Sequence, residues 1–179
     1  FVSAGAAIIL ALIIACAAAA AEGEKAADIH KAAAEGNLDK IEELLKADPD
    51  LLEAGNAIGN TPIFSAARNN RAEAVKLLAE KGADPNAKNN AGTTALAWAT
   101  QFGKLEGCKA LVESGAELSL AGENGIRPIH LAAFSGDKEL VEYFIEKGAD
   151  LNAKNGNGAT SLSSSYAFCY PEIVKLLID

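Results

Sequence analysis

From residue 22 onward, apolar and polar positions follow the period of short helices. Ile63, Ala66 and Ala67 lie at i, i+3 and i+4, which places them on one helical face. Thr61 is suited to cap that helix and Pro62 to its first turn. Asn70 breaks the pattern. Val75, Leu77 and Leu78 then start a second apolar stripe, which Gly82 ends as a glycine just past a helix does. The same events return along the chain. Gly59, Gly92, Gly125 and Gly158 are spaced 33 apart, as are Gly82, Gly115 and Gly148, and Gly103 and Gly136 stand where Asn70 stands. Asn124-Gly125, Asn155-Gly156 and Asn157-Gly158 mark tight turns between units. Each unit therefore predicts two short antiparallel helices and a protruding turn. One such unit cannot bury its apolar face alone, so the units must stack. The many alanines allow the helices of neighbouring units to approach closely.

The words that recur are Thr61-Pro62-Ile63-Phe64, Thr94-Ala95-Leu96-Ala97, Arg127-Pro128-Ile129-His130 and Thr160-Ser161-Leu162-Ser163. A second set is Lys81-Gly82-Ala83-Asp84, Ser114-Gly115-Ala116-Glu117 and Lys147-Gly148-Ala149-Asp150. They resemble the ankyrin repeat, whose pattern is a Thr-Pro-Leu-His-x-Ala run followed by Gly-Ala-Asp near the unit end. Arg127-Pro128-Ile129-His130-Leu131-Ala132-Ala133 is the best match. The resemblance covers roughly residues 25 to 179 and divides a domain over 22–179 into units at about 25–57, 58–90, 91–123, 124–156 and 157–179. The first unit is degenerate, with helices expected over Ile29–Glu35 and Leu38–Lys46, and its charged face (Lys31, Glu35, Asp39, Glu42, Glu43) suits a terminal cap. In the fifth, Ser163-Ser164-Ser165-Tyr166 and Cys169 depart from the pattern, and the chain reaches Asp179 within a helix expected to be short.

The resemblance implies an all-α solenoid that binds a protein rather than catalysing a reaction. It also implies a concave face formed by the ends of the first helices and the turn tips. On this sequence those positions are Arg68, Asn69, Gln101, Phe102, Phe134, Ser135 and Phe168 on the helices, and Lys88, Asn89, Asn124, Lys154 and Asn155 on the tips. Phe102, Phe134 and Phe168 are half of the six phenylalanines of the chain. Either they anchor a partner, as buried aromatics do at hot spots, or they pack beneath adjacent turns. Trp98 falls where the family has an apolar residue and is expected in the core, and His130 matches the histidine that hydrogen-bonds neighbouring turns.

The first 21 residues, Phe1 to Ala21, carry no charge, and this is the sharpest composition shift in the chain. Their number matches the roughly 20 apolar residues of a membrane span. They also match a secretory signal peptide, with Ile8 to Ile14 as its apolar core and Ala17 to Ala21 as its small-residue cleavage site. Ile13-Ile14-Ala15-Cys16 resembles a lipobox, a third reading. The working expectation is an uncleaved, single-pass transmembrane helix. The flank at Glu22, Glu24 and Lys25 lacks the basic cluster of a cytoplasmic border. The repeats are thus expected on the non-cytoplasmic side, in a periplasm, an organelle lumen or an intermembrane space. The first residue is Phe rather than Met, so further residues are expected ahead of it.

Net charge is −8, with 16 basic and 24 acidic residues and no basic stripe, which argues against a nucleic-acid partner. No phosphate-binding loop is present, because the glycines are spread rather than clustered. His30 and His130 are the only histidines, and no Cys, His or carboxylate set has metal-ligand spacing. No cofactor, metal or small-molecule substrate is expected. Cys108 and Cys169 fall two units apart, beyond disulfide reach. The reading is a membrane-anchored accessory or scaffold subunit whose partners are neighbouring proteins of a membrane complex. The alternative is a soluble exported binding protein that regulates or protects an enzyme after signal cleavage.

Overall fold

The computed structural model describes residues 22–178. The apolar segment over 1–21, read above as a membrane span or signal, lies outside these described residues. Among the described residues no helix is long and apolar enough to cross a membrane.

The chain is a succession of helix pairs. Helix α1 occupies residues 22–35. There follow α2 (Leu38–Ala47), a 3-10 turn (Pro49–Glu53), α3 (Pro62–Arg68), α4 (Ala72–Glu80), α5 (Ala95–Gln101) and α6 (Leu105–Glu113). A short 3-10 turn (Glu123–Gly125) then leads to α7 (Pro128–Ser135), α8 (Lys138–Glu146), α9 (Ser161–Ala167) and α10 (Pro171–Ile178). The described residues contain no strand, only an isolated antiparallel bridge between Lys88 and Thr94. The first unit's helices run longer than expected, since α1 already holds residue 22.

Within each unit the two helices pair, and between units like packs on like. α3, α5, α7 and α9 form one layer, while α2, α4 and α6 together with α8 and α10 belong to the other. The seam of the first layer is built from very small side chains. Ala32, Ala66, Ala99 and Ala132 recur at one register and are buried, and Ser165 takes that place in the fifth unit. Larger residues fill the space between layers: Ile63, Phe64, Val75, Leu78, Leu96, Leu111, Ile129, Leu140, Phe144 and Ile173 are almost wholly buried.

The reversals follow from backbone chemistry. Between the paired helices the chain turns through one left-handed residue in every unit: Gly36, Asn70, Gly103, Gly136 and Cys169 have φ of 76, 59, 61, 77 and 57°. At Gly136 the requirement is double, because a Cβ there would lie 2.7 Å from the Tyr170 ring. Cys169 adopts the same conformation with a side chain, at a cost of about 1–2 kcal/mol. At the far end of the second helices, Ala83, Ala116 and Ala149 donate back to Leu78, Leu111 and Phe144 at 3.0, 2.9 and 2.9 Å. These are Schellman bonds that satisfy carbonyls the helix leaves open. Thr94 and Thr160 cap α5 and α9 by accepting from Ala97 and Ser163. Thr61 occupies the same position at α3, but its side chain makes no capping bond and its hydroxyl is buried without a partner. The capping assigned to it from sequence is therefore positional only.

Both histidines tie a first helix to a turn. His130 Nδ1 accepts from the Arg127 N–H at 3.1 Å, and Nε2 donates to the Ala153 carbonyl at 2.9 Å. His30 repeats the arrangement: Nε2 donates to the Ala54 carbonyl at 2.8 Å, and Nδ1 accepts from the Ser65 hydroxyl at 2.8 Å. Burial pushes the His30 imidazole below its ordinary value, and the bond to Ala54 offsets this only in part. The unfolded chain then binds the proton more tightly than the folded one. The neutral-imidazole contribution to stability is complete above the ordinary value near 6.5 and fades as pH falls below it. Urea midpoints measured from about pH 8 to about pH 5 should fall with acidification in the natural chain and less in His30→Gln. Equal slopes in the two proteins would refute this.

Gly107 shows how tight the stack is. Its N–H donates to Asn70 Oδ1 at 2.8 Å, and a Cβ would sit 2.6 Å from the Ala67 carbonyl oxygen. Gly107→Ala gains about 1 kcal/mol of helix propensity, but overpacking against fixed backbone costs up to about 3. The variant should lose about 1–2 kcal/mol net, read as a lower midpoint in thermal denaturation. An unchanged or raised midpoint would show that the units separate easily.

Candidate protein-binding face

Helices α3, α5, α7 and α9 end toward one side of the stack, and the turn tips project beside them. Arg68, Asn69, Gln101, Phe102, Phe134, Ser135 and Phe168 are all exposed at these helix ends. A cleft of about 500 Å³ joins the two features, lined by Ile58, Asn89, Asn90 and Thr93 from the tips and by Trp98 and Gln101 from α5. This side is called the inner face below.

Aromatic rings dominate it in two clusters. In the first, Trp98 stacks edge-on to Phe64 below and to Phe102 above, with centroids 6.0 and 6.2 Å away. The Arg68 guanidinium lies over the same rings, 5.2 Å from Trp98 and 5.7 Å from Phe102. In the second, Phe134 meets Phe168 edge to face at 4.7 Å, and Phe168 stacks on Tyr170 at 6.5 Å. Phe102, Phe134 and Phe168 keep 46, 55 and 50% of their surface exposed, so no turn covers them. Each ring is held by a neighbour yet open on one side, which limits the entropy lost when a partner arrives.

Trp98, expected in the core, is only half-buried and lines the cleft. Its position four residues before Phe102 was the available signal, because i and i+4 share a helical face. Ile58 is a further residue that pattern reading passed over: it sits on a turn and is 52% exposed.

The tip residues divide into two kinds. Asn89 and Asn155 hold the turns together. Asn89 Oδ1 accepts from the N–H groups of Ala91 and Thr93 at 3.0 Å each, and its amide donates to Asn60 Oδ1 at 2.9 Å. Asn155 Oδ1 accepts from Asn157 and Ala159 at 3.0 Å each, and Asn56 does the same for Ile58 and Asn60 at 3.1 Å. Gly122 takes that place in the third tip. Lys88, Asn124 and Lys154 are exposed instead. Lys88 Nζ donates to the Ala121 carbonyl of the next tip at 3.1 Å. Asn124, itself left-handed at φ 56°, accepts from the Gly156 N–H at 2.6 Å. Tips thus brace their neighbours, as Asn86 also does by donating to the Gly115 carbonyl and accepting from the Glu117 N–H.

The geometry suits recognition more than chemistry. Among the described residues no group of His, Cys, Asp or Glu could hold a metal ion. The Cys108 thiol is buried and touches the Thr100 hydroxyl at 3.6 Å. Burial pushes it up to about 12, so it stays protonated and unreactive at neutral pH. Cys169 is exposed and free.

A family model described as ankyrin repeats (3 copies) matches residues 29–122, more than half of the chain, and one described as ankyrin repeats (many copies) matches residues 129–178. The chain belongs to the ankyrin repeat family. Ankyrin repeats bind protein partners and are in general non-catalytic, which agrees with a face built from rings, amides and backbone-braced tips. Among curated proteins, the transient receptor potential cation channel subfamily A member 1 of Homo sapiens is 36% identical over 61 residues. That match takes in 34% of this chain and spans 6% of the length of the relative.

Asn89→Ala removes three hydrogen bonds from a half-buried turn and should cost about 1–3 kcal/mol of stability, whereas Lys88→Ala should leave the unfolding midpoint nearly unchanged. Chemical denaturation of both variants decides it. If the two are equally stable, Asn89 is not a turn staple.

Proposed function

We propose that this ankyrin chain is a membrane-tethered, non-catalytic accessory subunit that holds a neighbouring protein on its inner face. The observation that carries the binding role is the pair of half-exposed aromatic clusters, Trp98 with Phe102 and Phe134 with Phe168. Rings that are fixed in place and open on one side are the groups on which hot spots are built, each contributing about 2 kcal/mol or more when a partner covers it. The tether rests on the uncharged run over residues 1–21, which is long enough to span a bilayer and holds small residues (Ala4, Gly5, Ala11, Ala15) suited to close packing among other spans. On this reading the repeats face the non-cytoplasmic side, and neither a nucleic acid nor a small-molecule substrate is involved.

A second reading shares the binding face and drops the tether. Ile8 to Ile14 followed by Ala17 to Ala21 has the layout of a cleavable signal, which would release a soluble exported binding protein. Intact mass of the natural protein separates the two: a mature chain starting near Glu22 removes the anchor.

The binding role is tested by native isolation of the full-length protein from membranes in mild detergent. A stoichiometric protein partner should co-purify. Phe102→Ala and Phe134→Ala should each weaken it at least about tenfold while helical content by circular dichroism stays intact. A monomer without partner refutes the subunit role, and loss of helicity in the variants would make the rings structural.

A further inference from the structure

Charge is not evenly spread over this stack. The chain carries −8 overall, yet the inner helices α3, α5, α7 and α9 contain no carboxylate, and their single charge is Arg68. Acidic residues lie on α1 at the head of the same layer (Glu22, Glu24, Asp28 and the exposed Glu35 at its end) and on the outer layer, where they are interleaved with paired lysines: Lys40 with Glu43, Lys76 with Glu113, Lys109 with Glu106, Lys138 with Glu142. The tips beside the inner helices add Lys88 and Lys154 and the exposed carboxylate of Glu123, and Asp84, Glu117 and Asp150 are exposed where the same turns begin. Asp84 and Asp150, which open the same turns, accept from the N–H groups of Asn86 and Asn152, and Asp150 also pairs with Arg127 at 3.1 Å. Among the described residues, Arg68, Lys88 and Lys154 have no carboxylate within salt-bridge distance.

Arg68 is placed to receive one. Its guanidinium carbon lies 5.2 Å from the Trp98 ring and 5.7 Å from the Phe102 ring, and the side chain is exposed. A guanidinium offers a planar fork that matches a carboxylate in a bidentate way. Beside it lie the cleft under Trp98 and, two and three units along, Phe134 and Phe168. Successive helices of a layer stand about 8–10 Å apart. The face therefore alternates fixed rings with unpaired cations.

We infer that the inner face takes an acidic segment of its protein partner, in which aspartate or glutamate side chains alternate with apolar anchors. The anchors seat on the two ring clusters, one carboxylate forks onto Arg68, and others lie near Lys88 and Lys154. A basic segment would find the outer layer more attractive than this face. The inference rests on the proposed inner-face reading and adds the chemistry of what binds there.

Selection of a displayed library of random peptides on the full chain in detergent tests it, followed by affinities of the enriched peptides as synthetic probes. The enriched sequences should combine Asp or Glu with Leu, Phe or similar residues. Their binding should weaken about tenfold in Arg68→Glu, and again in Lys88→Glu with Lys154→Glu, and it should fall as salt rises from about 0.05 to about 0.5 M. All three side chains are exposed, so these variants should keep the helical content of the natural chain. Enriched peptides that are basic or uncharged, bind in Arg68→Glu as before and are lost in Phe134→Ala would overturn the acidic assignment while leaving the inner face intact. Peptides indifferent to both Arg68 and Phe134 would overturn the inner face as well. An empty selection counts against the inference in the same way.

Discussion

The close approach of helices along the first layer is the contact on which everything else depends. Ala32, Ala66, Ala99 and Ala132, with Ser165 in the fifth unit, are buried at one register, so only very small side chains stand between successive first helices. Gly107 extends the constraint to the junction of the layers, where even a methyl group would strike the Ala67 carbonyl. With the first helices so near, the tips of adjacent units come within hydrogen-bonding distance, and Lys88, Asn86 and Asn124 reach across from unit to unit. The same spacing brings Phe134 against Phe168 and lays Arg68 over Trp98 and Phe102. A wider stack would keep its helices and lose its face.

Where the seam changes, so does the local structure. Thr100 takes the place of the second alanine in the third unit and stays buried because its hydroxyl donates to the Leu96 carbonyl at 2.7 Å. Tyr166 holds the equivalent place in the fifth unit. A phenol cannot enter that seam, and it stands 76% exposed. Units in such a stack touch only their neighbours, so these differences act locally rather than through a shared core.

The repeat itself was legible because two sets of glycines step by the same interval. The reason is physical: left-handed turns and Schellman ends admit few residues besides glycine, so they leave a mark in composition. The helix-end rows followed directly from that register. What pattern could not show is which polar side chains turn back on their own backbone. Asn89 and Lys88 are adjacent and both polar, yet one staples its own turn and the other stays exposed and reaches to the next tip. His30 was named only as a possible metal ligand, and its turn-tying role went unread because its unit lacks the surrounding words that mark His130, although its bond to Ala54 is the counterpart of that from His130 to Ala153. Thr61 shows the reverse error, since a residue type favoured at helix starts was credited with a bond that its rotamer does not make. Trp98 was placed by its unit position; it does pack against the core, but from the edge, where part of its ring also lines the cleft.

The tips differ in how firmly they are closed. In three of them an asparagine side chain adds two bonds to the backbone closure, and the closing glycine N–H lies 2.8 Å (Gly59), 2.9 Å (Gly92) and 2.8 Å (Gly158) from its acceptor. In the remaining tip, Gly122 supplies no side chain, and the corresponding bond from Gly125 lengthens to 3.3 Å. That tip leans on its neighbours instead, through Lys88 to the Ala121 carbonyl and through the Gly156 N–H to the Asn124 carbonyl. Between the aromatic cluster around Trp98 and the one around Phe168, the continuity of the inner face thus rests on bonds made from unit to unit rather than on a side chain inside the turn.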